Sequence, residues 1–245
     1  MTTDLAAPRV RSAGPSRSRE ELRELASIAG PELELAPAEL IIEWAVNTFG
    51  DRFCITSSMA DAVLAHIAGQ VAPNIDVVFL DTGYHFEETI GTRDAVEAVM
   101  DVNVITLTPR QTVAEQDAEY GPKLHDRDPD LCCKLRKVQP LEQGLRDYVA
   151  WATGLRRDES PTRANTPVVG WDDKRQKVKI SPIARWSQED VDAYVAEHGV
   201  LTNPLLMDGY ASVGCAPCTR RVLEGEDARA GRWAGQAKTE CGLHG

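Results

Sequence analysis

The chain has 245 residues, 42% of them hydrophobic and 27% charged, with a net charge of −11 at pH 7. That length supports an α/β domain with a sizeable core, and the negative charge opposes a general nucleic-acid-binding role. No window approaches the roughly 18 consecutive apolar residues of a membrane span, so a cytoplasmic protein without a membrane partner is expected.

Residues 1–19 carry Arg9, Arg11, Arg17 and Arg19 among Ser, Pro and Gly, with no apolar block behind the charges. They read as a disordered leader and not as a secretory signal. From Pro37 to Phe49, apolar residues at 40, 41, 44, 45 and 49 share one helix face, with Pro37 at the first turn. Phe53 to Thr56 is a short apolar strand, and Ala60 to Gly69 returns to helix. Val77 to Leu80 is a second strand, a helix follows from about Glu87 to Met100, and Val102 to Leu107 is a third strand. Leu131 to about Tyr148 reads as helix interrupted at Pro140. Val149 to Thr153 is a fourth strand, and Lys177 to Ile180 is a candidate fifth. Ser187, with Asp190 three residues on, opens a capped helix that ends at His198 before Gly199. Short apolar strands alternating with helices predict an α/β fold, a twisted parallel sheet with helices on both faces. Past Asn203 apolar periodicity fades. The chain is therefore expected to divide into an α/β domain over 20–205 and a cysteine-bearing segment with a mobile end over 206–245.

In a parallel α/β sheet, ligands bind beyond the carboxyl ends of the strands. Two strand ends carry suitable residues. Thr56-Ser57-Ser58-Met59-Ala60-Asp61 leads into a helix and can offer hydroxyls and backbone N–H groups to an anion, and Leu80-Asp81-Thr82-Gly83 can take a ribose or adenine edge. The same residues also serve as ordinary helix caps. Basic residues gather at Lys134 to Lys137, Arg156 to Arg163 and Arg220 to Arg232, and some of these are expected to face one site.

Six cysteines in a reducing compartment point to metal ligation or catalysis before disulfides. Cys54 is the exception: in Phe53-Cys54-Ile55 it reads as a small buried hydrophobe. Cys132-Cys133 and Cys215-Ala-Pro-Cys218 supply four thiolates, enough for zinc or for an iron–sulfur cluster. Adjacent side chains on a helix diverge by about 100°, so a tandem suits a cluster with separate iron corners better than one small ion. Zinc stays open as the alternative. Cys241 lies apart in a polar tail and has no cysteine within four residues. Lys238 is close to it in sequence, which suits a nucleophile, and an incidental terminal thiol stays open as the alternative.

Cys132-Cys133, Cys215-Ala-Pro-Cys218 and the terminal Glu240-Cys241-Gly242-Leu243-His244 together resemble the assimilatory adenosine 5′-phosphosulfate reductases of bacteria. The resemblance runs from about Glu39 to the C-terminus and includes Thr153-Gly154-Leu155-Arg156-Arg157. It implies an adenine nucleotide alpha-hydrolase-like fold and a [4Fe-4S] cluster on Cys132, Cys133, Cys215 and Cys218. It further implies attack by Cys241 on the sulfur of adenosine 5′-phosphosulfate, with thioredoxin or glutaredoxin releasing sulfite. Substrate contacts are expected at Ser57, Ser58, Asp61, Leu80, Gly83, Lys137, Gly154, Arg156, Arg229 and Arg232, and the tail from about 234 onward is expected to move. The related reductases of the 3′-phosphorylated substrate generally lack the cluster cysteines, which favours the substrate without that phosphate. The ATP pyrophosphatase loop, roughly Ser-Gly-Gly-x-Asp, has Ser58 and Met59 here in place of its glycines, and this counts against ATP cleavage. A 3′-phosphoadenosine 5′-phosphosulfate reductase, a tRNA-modifying enzyme of the ATP pyrophosphatase type and a metal-stabilised nucleotide-binding regulator are the alternatives. The oligomeric state is left open.

Overall fold

The computed structural model describes residues 16–235, 238 and 240–243. In chain order its elements are α1 (Arg19–Leu33), α2 (Ala38–Phe49), β1 (Phe53–Ser57), α3 (Val63–Val71), β2 (Ile75–Leu80), α4 (Glu87–Val99) and β3 (Val102–Leu107). They continue with α5 (Val113–Tyr120), α6 (Leu124–Arg127), α7 (Pro129–Cys133), α8 (Gln139–Gly144), β4 (Ala150–Thr153), β5 (Val169–Asp172), β6 (Lys177–Ile180) and α9 (Gln188–His198). The strands form one sheet in the order β3-β2-β1-β4-β6-β5. Every neighbouring pair is parallel except β5 with β6, so the expected parallel sheet carries one antiparallel strand at its edge.

Alternation along the strands shows why both faces are covered. Phe53 and Ile55 of β1, Val77 and Phe79 of β2, and Ala150 and Ala152 of β4 enter the larger apolar cluster with α2 and α3. Between them Cys54, Val78 and Trp151 point the other way, into a second cluster with Leu141 and Leu145. Cys54 is thus a buried core residue, as expected. The strand order reverses between β1 and β4, where Thr56 lies beside Thr153. The crevice at that switch point is where this architecture takes ligands.

Three further differences from the expected elements have local causes. Helix α1 begins at Arg19, capped by Ser18 with Glu21 bonding back to the Ser18 N–H, so the leader's last residues are ordered by a capping box. The rest of the expected leader lies outside the described residues. Helix α3 starts at Val63 because Ala60 to Ala62 are drawn against residues 201–203. Pro140 does not interrupt the helix that carries Cys132 and Cys133. A π turn over Lys134–Val138 joins α7 to α8, and the Gln139 N–H reaches the Lys134 carbonyl, five residues back. The ladder is already shifted where Pro140 has no N–H to give.

Candidate active site

The loop after β1 is pinned from behind. Asn203, fully buried, donates through Nδ2 to the Met59 carbonyl at 3.1 Å and to Thr89 Oγ1 at 2.9 Å, while its backbone N–H bonds to the Ala60 carbonyl. Ser57 Oγ accepts from the Met59 N–H at 3.2 Å. Met59 occupies the left-handed region at φ 59°, a conformation that favours glycine, and its side chain is buried in the core. Ser58 is exposed at the mouth. Asp61, just before α3, accepts from the Val63 N–H at 3.0 Å. Burial pushes its carboxyl above the ordinary range, against that bond and the nearby charge of Arg156.

The turn after β2 is equally constrained. Asp81 Oδ1 accepts from the Gly83 N–H at 2.9 Å, and Gly83 has φ 72°. Thr82, almost wholly buried, meets Cys215 Sγ at 3.2 Å through its hydroxyl. The Ala216 N–H bonds to the Tyr84 carbonyl at 2.7 Å, which fastens the cysteine loop to this strand end. Arg136 donates through Nε to the Thr82 carbonyl and through Nη1 to Gln116 Oε1, and lies over the Tyr84 ring.

All four expected ligand cysteines line one cavity, together with Tyr84, Arg136 and Lys137. Cys132 and Cys133 end α7, and Cys215 and Cys218 flank a tight turn in which the Cys218 N–H bonds to the Cys215 carbonyl. Burial, and then the neighbouring thiols, push Cys132 up to about 12. The same causes push Cys218 up to about 11. Four thiols, three of them buried and Cys218 half-buried, that repel one another as thiolates form a donor set suited to a cationic metal group. Among the described residues, no three His, Cys, Asp or Glu side chains are placed to hold one metal ion.

Lys137 follows four residues after Cys133 and is buried. Burial pulls its pKa down, but the facing thiols of Cys215, Cys241 and Cys133 outweigh this and raise it to about 12. It lines the four-cysteine cavity and also interacts electrostatically with Cys241, which is half-buried. Arg232 donates to Ser212 Oγ and the Val213 carbonyl and stacks 4.6 Å from the Trp233 ring centroid. Its guanidinium lies against Gly214, where a side chain would come within 2.3 Å of Nη2. Arg229 pairs with the tail carboxylate of Glu240 at 3.3 Å.

Of the expected contacts, Lys137 interacts with the Cys241 thiol and with Arg232, and Arg229 pairs with Glu240, the residue before Cys241, while Ser57, Ser58, Leu80, Gly83 and Gly154 lie at neighbouring strand ends. Arg156 is buried beside them, donating to Asp158 at 3.1 Å and to Gln188 Oε1 at 2.7 Å. Sequence reasoning does not single out Arg163, which holds Glu159 and Glu240 together. It lies inside the basic stretch 156–163, but spacing alone does not say which arginine turns inward. Arg157 and Arg220, from the same basic stretches, face elsewhere and pair with Glu34 and Glu226.

Comparison with known proteins matches residues 53–221 to the phosphoadenosine phosphosulfate reductase domain. Over 229 residues the chain is 82% identical to the adenosine 5′-phosphosulfate reductase of Streptomyces coelicolor, spanning 94% of this chain and 97% of that protein. It is 55% identical over 227 residues to the protein of the same name from Mycolicibacterium smegmatis, spanning 93% and 96%. The solved phosphoadenylyl-sulfate reductase of Candida auris, in a phosphate complex, superposes with a TM-score of 0.70 at 25% identity, covering 85% of this chain and 100% of that one. A Candida glabrata FMN adenylyltransferase, at 10% identity and TM-score 0.52, covering 86% and 69%, shares the fold alone.

Proposed function

The chain belongs to the phosphoadenosine phosphosulfate reductase family, and on that premise we propose that it reduces adenosine 5′-phosphosulfate to sulfite and AMP, as a step in sulfate assimilation. The observation that carries this reading is the placement of Cys241 beside Lys137, next to a cavity lined by Cys132, Cys133, Cys215 and Cys218. The choice of nucleotide is supported by the two relatives named above.

The adenosine lies at the switch point, against Leu80, Gly83 and Gly154, with its anionic end toward Ser57, Ser58, Lys137, Arg229 and Arg232. The Cys241 thiolate attacks the substrate's sulfur. The sulfur–oxygen bond to phosphate breaks and its electron pair leaves with AMP. Charge grows on that oxygen as the bond opens, and cations fixed in advance stabilise it without reorganising. The product on the enzyme is Cys241 S-sulfonate. A thiolate of a dithiol protein such as thioredoxin or glutaredoxin attacks the Cys241 sulfur, releasing sulfite and leaving a mixed disulfide, and its second thiol then frees Cys241. Two thiols are oxidised and one sulfur is reduced by two electrons.

Cys132, Cys133, Cys215 and Cys218 would hold a [4Fe-4S] cluster. When bound, the cluster supplies a fixed charge beside the site, since the thiols already supply both electrons. Lys137 interacts with the Cys133 and Cys215 thiols and with Cys241, and so ties the two together electrostatically. The reaction needs Cys241 reduced, which suits the cytoplasm. Among the described residues no helix is long and apolar enough to cross a membrane.

The test is sulfite release by anaerobically purified protein from adenosine 5′-phosphosulfate and from its 3′-phosphorylated form, with iron content measured alongside. Release from the unphosphorylated nucleotide, abolished by Cys241→Ser with AMP binding intact, is expected. Equal rates with both nucleotides would overturn the substrate assignment, and zinc in place of iron would overturn the cofactor.

A further inference from the structure

The tail is tied down on both sides of Cys241. On one side the Glu240 carboxylate accepts from Arg163 Nε at 3.0 Å and Nη2 at 2.9 Å, and from Arg229 Nη2 at 3.3 Å. On the other side Lys174 Nζ donates to the Gly242 carbonyl at 3.2 Å, and Leu243 packs against the apolar cluster around Leu141 and Trp151. Among its described residues the tail has no helix or strand, so side chains must set its register.

Of these ties, the one at Glu240 has the most defined geometry. A guanidinium holding a carboxylate through two parallel bonds fixes direction as well as distance. Arg163 cannot swing freely, because its Nη1 also donates to Glu159 at 2.5 Å. The side chains of Arg163 and Arg229 are only 11% and 15% exposed, so solvent screens the pair less than it would on an open surface. Burial raises the Glu240 pKa, but the two arginines outweigh it and hold the carboxylate below its ordinary range, keeping it ionised at neutral pH. Glu240 contributes no apolar surface to the core, and the exposed Thr162 hydroxyl also donates to its carboxylate, at 3.4 Å.

We propose that Glu240 is a positioning residue: its carboxylate, clasped by Arg163 and Arg229, sets the register in which Cys241 meets the sulfur of the bound nucleotide. The proposal rests on Cys241 being the nucleophile. It also implies rivalry, because Arg229 serves both the tail carboxylate and the substrate's anionic end. Removing the carboxylate should therefore slow the chemistry without weakening nucleotide binding, a division that general loosening of the fold does not produce.

Glu240→Gln in the full-length, cluster-loaded protein tests it, since the amide keeps the shape and loses the charge. Single-turnover sulfonation of Cys241 at saturating nucleotide, followed by intact mass, should slow by about tenfold or more, with AMP affinity within about twofold or tighter. Glu240→Asp should recover part of the rate. Trypsin cleavage after Lys238, in protein without nucleotide, should quicken several-fold as the clasp opens. A wild-type sulfonation rate overturns the positioning role, and a parallel loss of AMP affinity reassigns Glu240 to general stability. The cleavage arm needs no substrate. If Cys241→Ser still releases sulfite, the nucleophile reading falls by itself, and the clasp then stands on faster cleavage or is overturned by unchanged cleavage.

Discussion

Gly231 shows how tightly the arginine-bearing hairpin is drawn over the cysteines. A methyl group there would lie 2.2 Å from the Arg220 carbonyl oxygen and 3.3 Å from its carbon, and both are backbone atoms that cannot rotate away. Gly231→Ala must therefore separate the paired segments in which the Arg220 N–H bonds to the Gly231 carbonyl at 2.9 Å and the Trp233 N–H bonds to the Cys218 carbonyl at 2.9 Å. Two backbone hydrogen bonds at about 1 kcal/mol each put the cost near ~2 kcal/mol, or roughly thirtyfold in the population of the closed hairpin. The loss is local, because neither segment belongs to the sheet. Sulfite release should fall by about tenfold or more, while the global melting midpoint, followed by far-ultraviolet circular dichroism, moves by less than ~4 °C. Wild-type sulfite release would refute the reasoning outright, and a much larger fall in the midpoint would show that the hairpin carries the fold and not the site.

Lys137→Met should reduce sulfite release by about a hundredfold or more while AMP still binds, because a buried cation facing three thiols is replaced by an apolar group. Comparable rates in the two proteins would remove Lys137 from the mechanism. Lys179 offers a pH test. Burial, the largest cause, lowers its pKa to about 8, so at pH 7 the folded state bears the full penalty of keeping it charged. That penalty is relieved as the pH rises from about 8 toward the unfolded value near 10.5. Lys179→Met should melt higher than the parent at pH 7, with an advantage that shrinks on titration to alkaline pH. An advantage independent of pH would mean that the gain comes from packing. Thr82→Val should leave the fold intact but weaken retention of the bound metal group against a chelator, since the hydroxyl bonded to the Cys215 sulfur is lost. Unchanged iron release would show that this bond does not support the ligand.

Much of the sheet is legible in the sequence because its strands are short apolar runs, most with a helix after them, as at Val102 to Leu107, whose observed limits match the expected ones. The strand Val169–Asp172 is not. It contains Gly170, follows Pro167, and pairs antiparallel at the edge, so it lacks the apolar run that marks a strand buried on both faces. Helix α1 is hidden because Pro31 lies inside it and the residues before it resemble a leader, although Ser18 and Glu21 form a readable capping box. At the site the cysteines are readable from spacing, since a CxxC pair and a tandem are rare. The folded chain gathers them in one cavity. The arginines are not separable in the same way. Arg156, Arg157 and Arg163 share one stretch, yet only Arg163 reaches the tail, and that choice is made by the irregular loop between β4 and β5.

The π turn over Lys134–Val138 has an implication for how this chain tolerates change. A regular helix would be the more stable path between Cys133 and Gln139, and a turn wound five residues deep is uncommon. It nevertheless buries Arg136, Lys137 and Val138 together behind the two cysteines. Selection for thermal stability alone would favour trimming one residue from this turn, and the trimmed helix would rotate Lys137 away from Cys241. Robustness and reactivity thus pull in opposite directions on five residues, and a stabilised variant that leaves this turn untouched is the one to expect to keep its chemistry.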